Sequence, residues 1–168
     1  EKSSLILRSA DNAARKTAEG IARIISEHKA WRLWFPPIEP KSTPGQSGGE
    51  WSAQAGYSVV DTSRPEDEWV VIEAARTSPT ITKYGMGSKN VLGSRVTLAM
   101  LADDLHDEEN SESPYQLERM VSRFQVIIEN SRTPESRLVI IGTPWATNDL
   151  LQQLPRTGEY RKVKTPIT

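Results

Sequence analysis

Two stretches constrain this chain most: "RVTLAMLADD" (95–104) and "RLVIIGTPW" (137–145), each an apolar run that ends in polar residues. A strand on a half-solvated sheet alternates apolar with polar. A strand apolar on both faces needs cover on both sides, as the central strands of a parallel sheet have. Between the two, "SPYQLERMVSRFQVIIENSR" (113–132) sets Leu117, Val121, Phe124 and Ile128 on one helical face, with Pro114 near its start. Strand, amphipathic helix and strand in succession read as a βαβ unit. A right-handed crossover through the helix then puts both strand ends on one edge of the sheet.

The rest of the chain extends this pattern. "SSLILRS" (3–9) reads as a buried strand, followed by "DNAARKTAEGIARIISEHK", where Ala14, Ala18, Ile21 and Ile25 fall at helical spacing and Ser9 or Asp11 is placed to cap the start. In "WRLWFPP", Trp31, Trp34 and Phe35 sit at a helix exit beside two prolines, and read as core and cap packing rather than a base-stacking platform. "IEPKSTPGQSGGE" (38–50) is a long surface loop. "WSAQAGYSVV", "EWVVIEAAR" and "PTITKYGM" supply two or three strands expected to be antiparallel or peripheral, and "GSKNVLGS" is a glycine-containing turn. "ATNDLLQQL" reads as a short helix capped by Thr147 or Asn148, and "EYRKVKTPI" as a last strand. The fold class is therefore α/β, a mostly parallel sheet flanked by helices, in one domain spanning 1–168.

Composition narrows the chemistry. A chain of 168 residues can bury a real core, and no apolar run approaches the roughly 20 residues of a membrane helix. With no cysteine, disulfides and thiolate metal sites are excluded; the two histidines, His28 and His106, are too far apart in sequence to suggest a zinc cluster. A net charge of −1 gives no global basic field to attract nucleic acid. Glu1 is no natural start, so the chain is expected to begin and end inside a longer protein.

Ligands of open α/β sheets bind beyond the carboxyl ends of the parallel strands. Here one strand ends in Asp103-Asp104 and another in Gly142-Thr143. One carboxylate could hold Mg²⁺ directly or through water, the second could orient an attacking water, and the threonine hydroxyl could sense a phosphate. The competing reading is plainer: acids after a strand commonly solvate a turn, and glycine, threonine and proline are ordinary turn residues. His106 beside the acids is a candidate proton shuttle, though an exposed turn histidine is the simpler reading. Lys83, Lys89 and Arg95, around the glycine turns, are candidate DNA or phosphate contacts. Arg156, Arg161, Lys162 and Lys164 form a small basic cluster that reads as a solvated strand face.

A phosphate cradle of the form G-x-x-x-x-G-K-[ST] is absent from the chain: "GQSGGEWS" (45–52) lacks the lysine, and "GMGSKN" (85–90) has a lysine without the spacing. Even so, several stretches in order resemble one family, the ATPase (motor) domain of the large terminase subunit of tailed bacteriophages. They are "LILRSADNAARKTAEGIARII", "WRLWFPP", the strand with Trp51, "GSRVTLAMLADD", "IIGTPWATNDLL" and "KVKTPIT". This chain has Leu105, Pro144 and Ala146 where that family commonly has proline, arginine and histidine.

The resemblance implies a P-loop NTPase with a RecA/ASCE-like core, incomplete at the N-terminus and lacking its Walker A loop. It implies ATP and Mg²⁺ as cofactors, Asp103 as the Walker B acid holding Mg²⁺ through water, Asp104 as the catalytic carboxylate, and Thr143 in the coupling motif. It further implies double-stranded DNA, a portal protein and a small terminase subunit as partners, a homo-oligomeric ring, no membrane, the infected host's cytoplasm, and a nuclease domain downstream. The phosphate loop is expected upstream of Glu1. Its strand and helix would then be missing too, exposing a sheet edge. The piece alone should hydrolyse ATP poorly. Two other readings stay open: a non-catalytic interaction or DNA-binding module that keeps the fold, and a metal-dependent nuclease built on Asp103, Asp104 and Glu108, with Glu73 as a further acid.

Overall fold

The computed structural model describes residues 3–40, 51–52, 56–63, 81–107, 111 and 113–163. Along the chain run β1 (Ser4–Arg8), helix α1 (Asp11–Glu27), helix α2 (Lys29–Trp34), β2 (Ile38–Pro40), β3 (Trp51–Ser52), β4 (Gly56–Tyr57) and β5 (Val59–Asp61). They are followed by β6 (Ile81–Gly85), β7 (Ala99–Asp103), helix α3 (Pro114–Ser131), β8 (Arg137–Ile141) and helix α4 (Leu150–Gln153). Short 3₁₀ turns occupy Lys89–Gly93 and Leu154–Thr157.

The main sheet has the order β3-β4-β6-β1-β7-β8. Its four strands β6, β1, β7 and β8 are mutually parallel, while β3 and β4 continue it antiparallel; β2 and β5 pair separately. Of the two apolar runs, β7 is a central parallel strand as its composition requires, whereas β8 is parallel but outermost among the described residues, with Val139 and Ile141 47% and 54% exposed. β6 departs from expectation: it is no peripheral strand but pairs in parallel along the whole of β1, from Ser4↔Ile81 to Arg8↔Gly85. Its sequence "ITKYG" alternates enough polar character to look solvated, yet Lys83 and Tyr84 are half-buried. The segment "EWVVIEAAR" lies outside the described residues.

Both faces of the sheet carry helices. On one, Val121, Phe124 and Ile127 of α3 pack with Leu150 and Leu154 onto Leu5, Leu7, Met100 and Ala102. Ile128, placed by its spacing on the same face, sits partly buried at the edge of this core. On the other face, Ala18 and Ala22 of α1 meet Ile6 and Tyr57. Alanines at those positions allow a close approach, and Gly85 completes it: a β-carbon there would stand 2.6 Å from the carbonyl carbon of Ala10.

Local details correct several sequence expectations. The residue at the α1 N-cap is Ala10, with no side-chain cap, because the Asp11 carboxylate instead accepts the Gly85 N–H at 2.6 Å and ties the helix to β6. α4 is capped by Asp149, not Thr147 or Asn148. Residues 158–160 form bends and 161–163 no regular structure, rather than a last strand, and Lys164 onward lies outside the described residues. Trp34 and Phe35 are 75% and 50% exposed; Trp31 is half-buried, packs against Phe35 with ring centres 4.7 Å apart and donates its indole N–H to the Ile38 carbonyl. Among the described residues no helix is long and apolar enough to cross a membrane.

Candidate functional site

In β7, Met100 and Ala102 turn into the α3 core, so Asp103, one residue further on, projects from the opposite face at the strand's carboxyl end. Register carries the acids next to the β8 tip: Asp103 pairs with Ile141, and the Asp104 N–H donates to the Ile141 carbonyl at 3.0 Å. Gly142 and Thr143 follow at once, and a β-carbon on Gly142 would lie 3.6 Å from an Asp104 carboxylate oxygen. Asp103, Asp104 and Thr143 thus lie at the ends of two adjacent parallel strands; Asp104 and Thr143 line one small cavity, which Asp103 does not join. Asp104 adopts φ 44°, the one positive φ of a non-glycine among the described residues. Aspartate tolerates that left-handed geometry better than most residues, and strain of this kind collects at functional turns.

Arg8, which the sequence reading passed over, sits at the centre of the site. It ends β1 as Asp103 ends β7, and its guanidinium reaches Asp103 at 3.2 Å and Asp104 at 2.9 Å. It also donates to the Thr17 hydroxyl of α1 at 2.8 Å. The acids are thus neither bare nor merely solvated; they share one permanent cation. A signal was there to read, since Arg8 is the one charge closing an otherwise apolar strand.

His106 overturns the exposed-turn reading. It is 5% exposed, and its Nε2 accepts the Leu150 N–H at 3.0 Å, locking the loop after the acids to the start of α4. Accepting at Nε2 leaves a neutral ring its proton on Nδ1, and that buried nitrogen has no partner among the described residues. Asp149, wholly buried, braces the same region: its carboxylate accepts the N–H groups of Trp145 at 2.7 Å, Ala146 at 3.3 Å and Gln152 at 3.0 Å. No local sequence pattern announces the His106 contact, whose partners are 44 positions apart.

The space available is small. A cavity of about 10 Å³ is lined by Asp104, His106, Gly142, Thr143, Leu150 and Leu151, room for about one water. A groove of about 630 Å³ runs between α3 and residues 146–148, but its one charged lining residue is the acid Glu118, which does not suit a phosphate. Among the described residues no group of three histidines, cysteines or acids is placed to hold a metal. A Mg²⁺ here would have one or two carboxylates and otherwise water or phosphate oxygens, which is how that ion is commonly held. The acid side of such a site fits; a phosphate cradle is missing among the described residues. Glu73 and Glu108, needed for the nuclease arrangement, lie outside them.

The three basic candidates do not converge. Lys83 lies within β6, where burial pushes its ammonium below the usual lysine range while Asp11 pulls it back up. Lys89 is exposed at the start of a 3₁₀ turn, and Arg95 is exposed before the amino end of β7, the strand's full length from Asp103. Arg156, Arg161 and Lys162 are exposed, with Lys162 donating to the Gln152 side chain at 3.1 Å. The chain matches no protein-family model and no curated protein.

Proposed function

We propose that this chain is most of the ATPase core of a terminase-type motor that drives double-stranded DNA into a viral procapsid. The observation that carries the reading is the register Asp103↔Ile141, which sets an acid pair beside Gly142-Thr143 on adjacent parallel tips, in the motif order of that family. A second feature agrees. Among the described residues β8 is the outermost strand of the sheet, and Val139 and Ile141 on its α1-side face are 47% and 54% exposed. One further parallel strand with its helix would cover both edge and face, as a strand–phosphate-loop–helix unit would.

In this reading bound ATP with Mg²⁺ would supply the γ-phosphate that water attacks. Asp103 would hold the ion through water. Asp104, fixed in its turn by the Ile141 carbonyl, would orient the attacking water as general base. Thr143, on a turn braced by Asp149, would pass the state of the site to α4. A portal protein, a small terminase subunit and further copies in a ring would be the partners, in the host cytoplasm. The test is ATP hydrolysis by the protein including the sequence encoded upstream of Glu1. Asp104→Asn should lower turnover at least about 100-fold while a fluorescent ATP analogue still binds within threefold. Equal turnover, or no Gly-Lys-Ser/Thr loop upstream, refutes the reading.

The Arg8 clamp and the one-water cavity favour a second reading, a fold-retaining module without catalysis that binds protein or DNA. Partner binding that ignores nucleotide and survives Asp103→Ala would select it.

A further inference from the structure

The groove between α3 and residues 146–148 takes no part in the site at the strand tips. Leu117 and Val121, each 8% exposed, form an apolar floor, and Glu118, Thr147, Asn148 and Gln153 bring carboxylate, hydroxyl and amide groups to its walls. Its charge is one-sided. Between Leu105 and Glu118 the sequence carries Asp107, Glu108, Glu109, Glu112 and Glu118, with no lysine or arginine. Tyr115 and Trp145, next in sequence to the lining residues Pro114 and Ala146, are 73% and 53% exposed, and aromatic faces attract cations. Such a groove fits a chain segment that carries cations around an apolar side chain.

The chain itself has one. Arg161, Lys162 and Val163 are exposed, Val163 by 77%, and Lys164 follows with no acid among the four. Glu118, Arg161 and Lys162 form no ion pair among the described residues. This basic strip lies beside the groove: Gln153 lines the groove, and its neighbour Gln152 accepts the Lys162 ammonium at 3.1 Å. An acidic groove and a basic strip side by side on one surface complement themselves under a two-fold rotation, which sets each strip against the other copy's groove. We propose that two copies of this chain pair through this face as an isologous dimer. Residues 161–163 of each copy enter the α3 groove of the other, with Arg161 and Lys162 facing Glu118 and Val163 covering Leu117 and Val121. The inference uses charge, exposure and adjacency alone and stands apart from the motor reading.

The experiment is sedimentation equilibrium of the 168-residue chain from about 5 to about 500 µM, the range expected of a weak contact. Wild type should dimerise. Glu118→Lys alone, and Arg161→Glu with Lys162→Glu, should each weaken association at least about tenfold, because like charges then meet at both contacts. An equal mixture of the two variants should recover the dimer, since each reversed patch faces its opposite. Wild type monomeric throughout, a dimer that both variants leave within about twofold, or a mixture no more associated than its parts overturns the proposal. A monomer whose Trp145 emission still responds to the free peptide 157–168 also overturns it, and gives the groove to a basic segment of another protein. The substituted residues are exposed, and far-ultraviolet circular dichroism checks that the variants fold. If one does not, salt decides: raising NaCl from about 50 to about 500 mM should weaken the wild-type dimer at least about threefold, and an unchanged dimer refutes the charge pairing.

Discussion

Replacing Asp149 should loosen the turn that carries Thr143 more than any exposed substitution near it. The side chain is wholly buried and accepts three backbone N–H groups, from Trp145, Ala146 and Gln152. In Asp149→Ala, losing the helix cap costs about 1 kcal/mol, and stranding the Trp145 and Ala146 donors adds about 1 kcal/mol each at the low end of the range for unsatisfied groups. The sum is about 3 kcal/mol, out of a total stability on the order of 5–15 kcal/mol. For a domain of this size that lowers Tm by about 6–12 °C. Asp149→Asn is the sharper variant. Its carbonyl can still cap Gln152, while its amide would point donors at the Trp145 and Ala146 N–H groups, so about 2 kcal/mol should be lost. Thermal unfolding by circular dichroism gives the first number, and hydrogen exchange at Trp145 and Ala146 localises it. A Tm within 2 °C of wild type for Asp149→Asn, with those amides as protected as before, would refute the reasoning.

Gly85→Ala should cost about 1–3 kcal/mol in urea unfolding, because the added carbon meets the backbone of Ala10 and Asp11 rather than a movable side chain. Phe124→Ala, which empties the centre of the α3-side core, should cost about 3–5 kcal/mol by the same assay. Lys83 gives a pH signature. Its pKa in the fold lies below the 10.5 of the unfolded chain because burial disfavours the ammonium. The unfolded state therefore binds more protons, and the burial cost, present in full below the folded pKa, is relieved as pH rises towards 10.5. Lys83→Met should lose ground against wild type over that rise, measured as the difference in Tm. Tyr57 and Tyr160, raised by burial, lose stability as pH rises but are common to both proteins and cancel in the difference.

Much of the architecture was legible because it depends on spacing within short windows. The α3 face repeats with helical period, and "LAMLA" and "LVII" lack the alternation that a solvated face imposes, which identifies both as parallel strands; only β7 proves central, since β8 has no neighbour beyond it among the described residues. The two polar tips could be named for the same reason, as the residues that end those runs. β6 was misjudged because Lys83 within "ITKYG" mimics a half-solvated strand, and only its pairing with β1 and cover by α1 bury it. The histidine and the aspartate cap were misjudged because burial of His106 depends on the Leu150 N–H, and capping by Asp149 on how the 143–149 turn closes.

What the sequence by itself determined is an α/β chain with parallel central strands and acids at one tip. Hydrophobic period and residue identity are properties of neighbours along the chain. What only the tertiary structure decided is the company those acids keep. Arg8 stands 95 positions before Asp103 in the numbering, and the parallel register of β1 against β7 alone brings its cation within 3.2 Å. Ion pairs are set by distance in space, and no local pattern records which charge closes the gap.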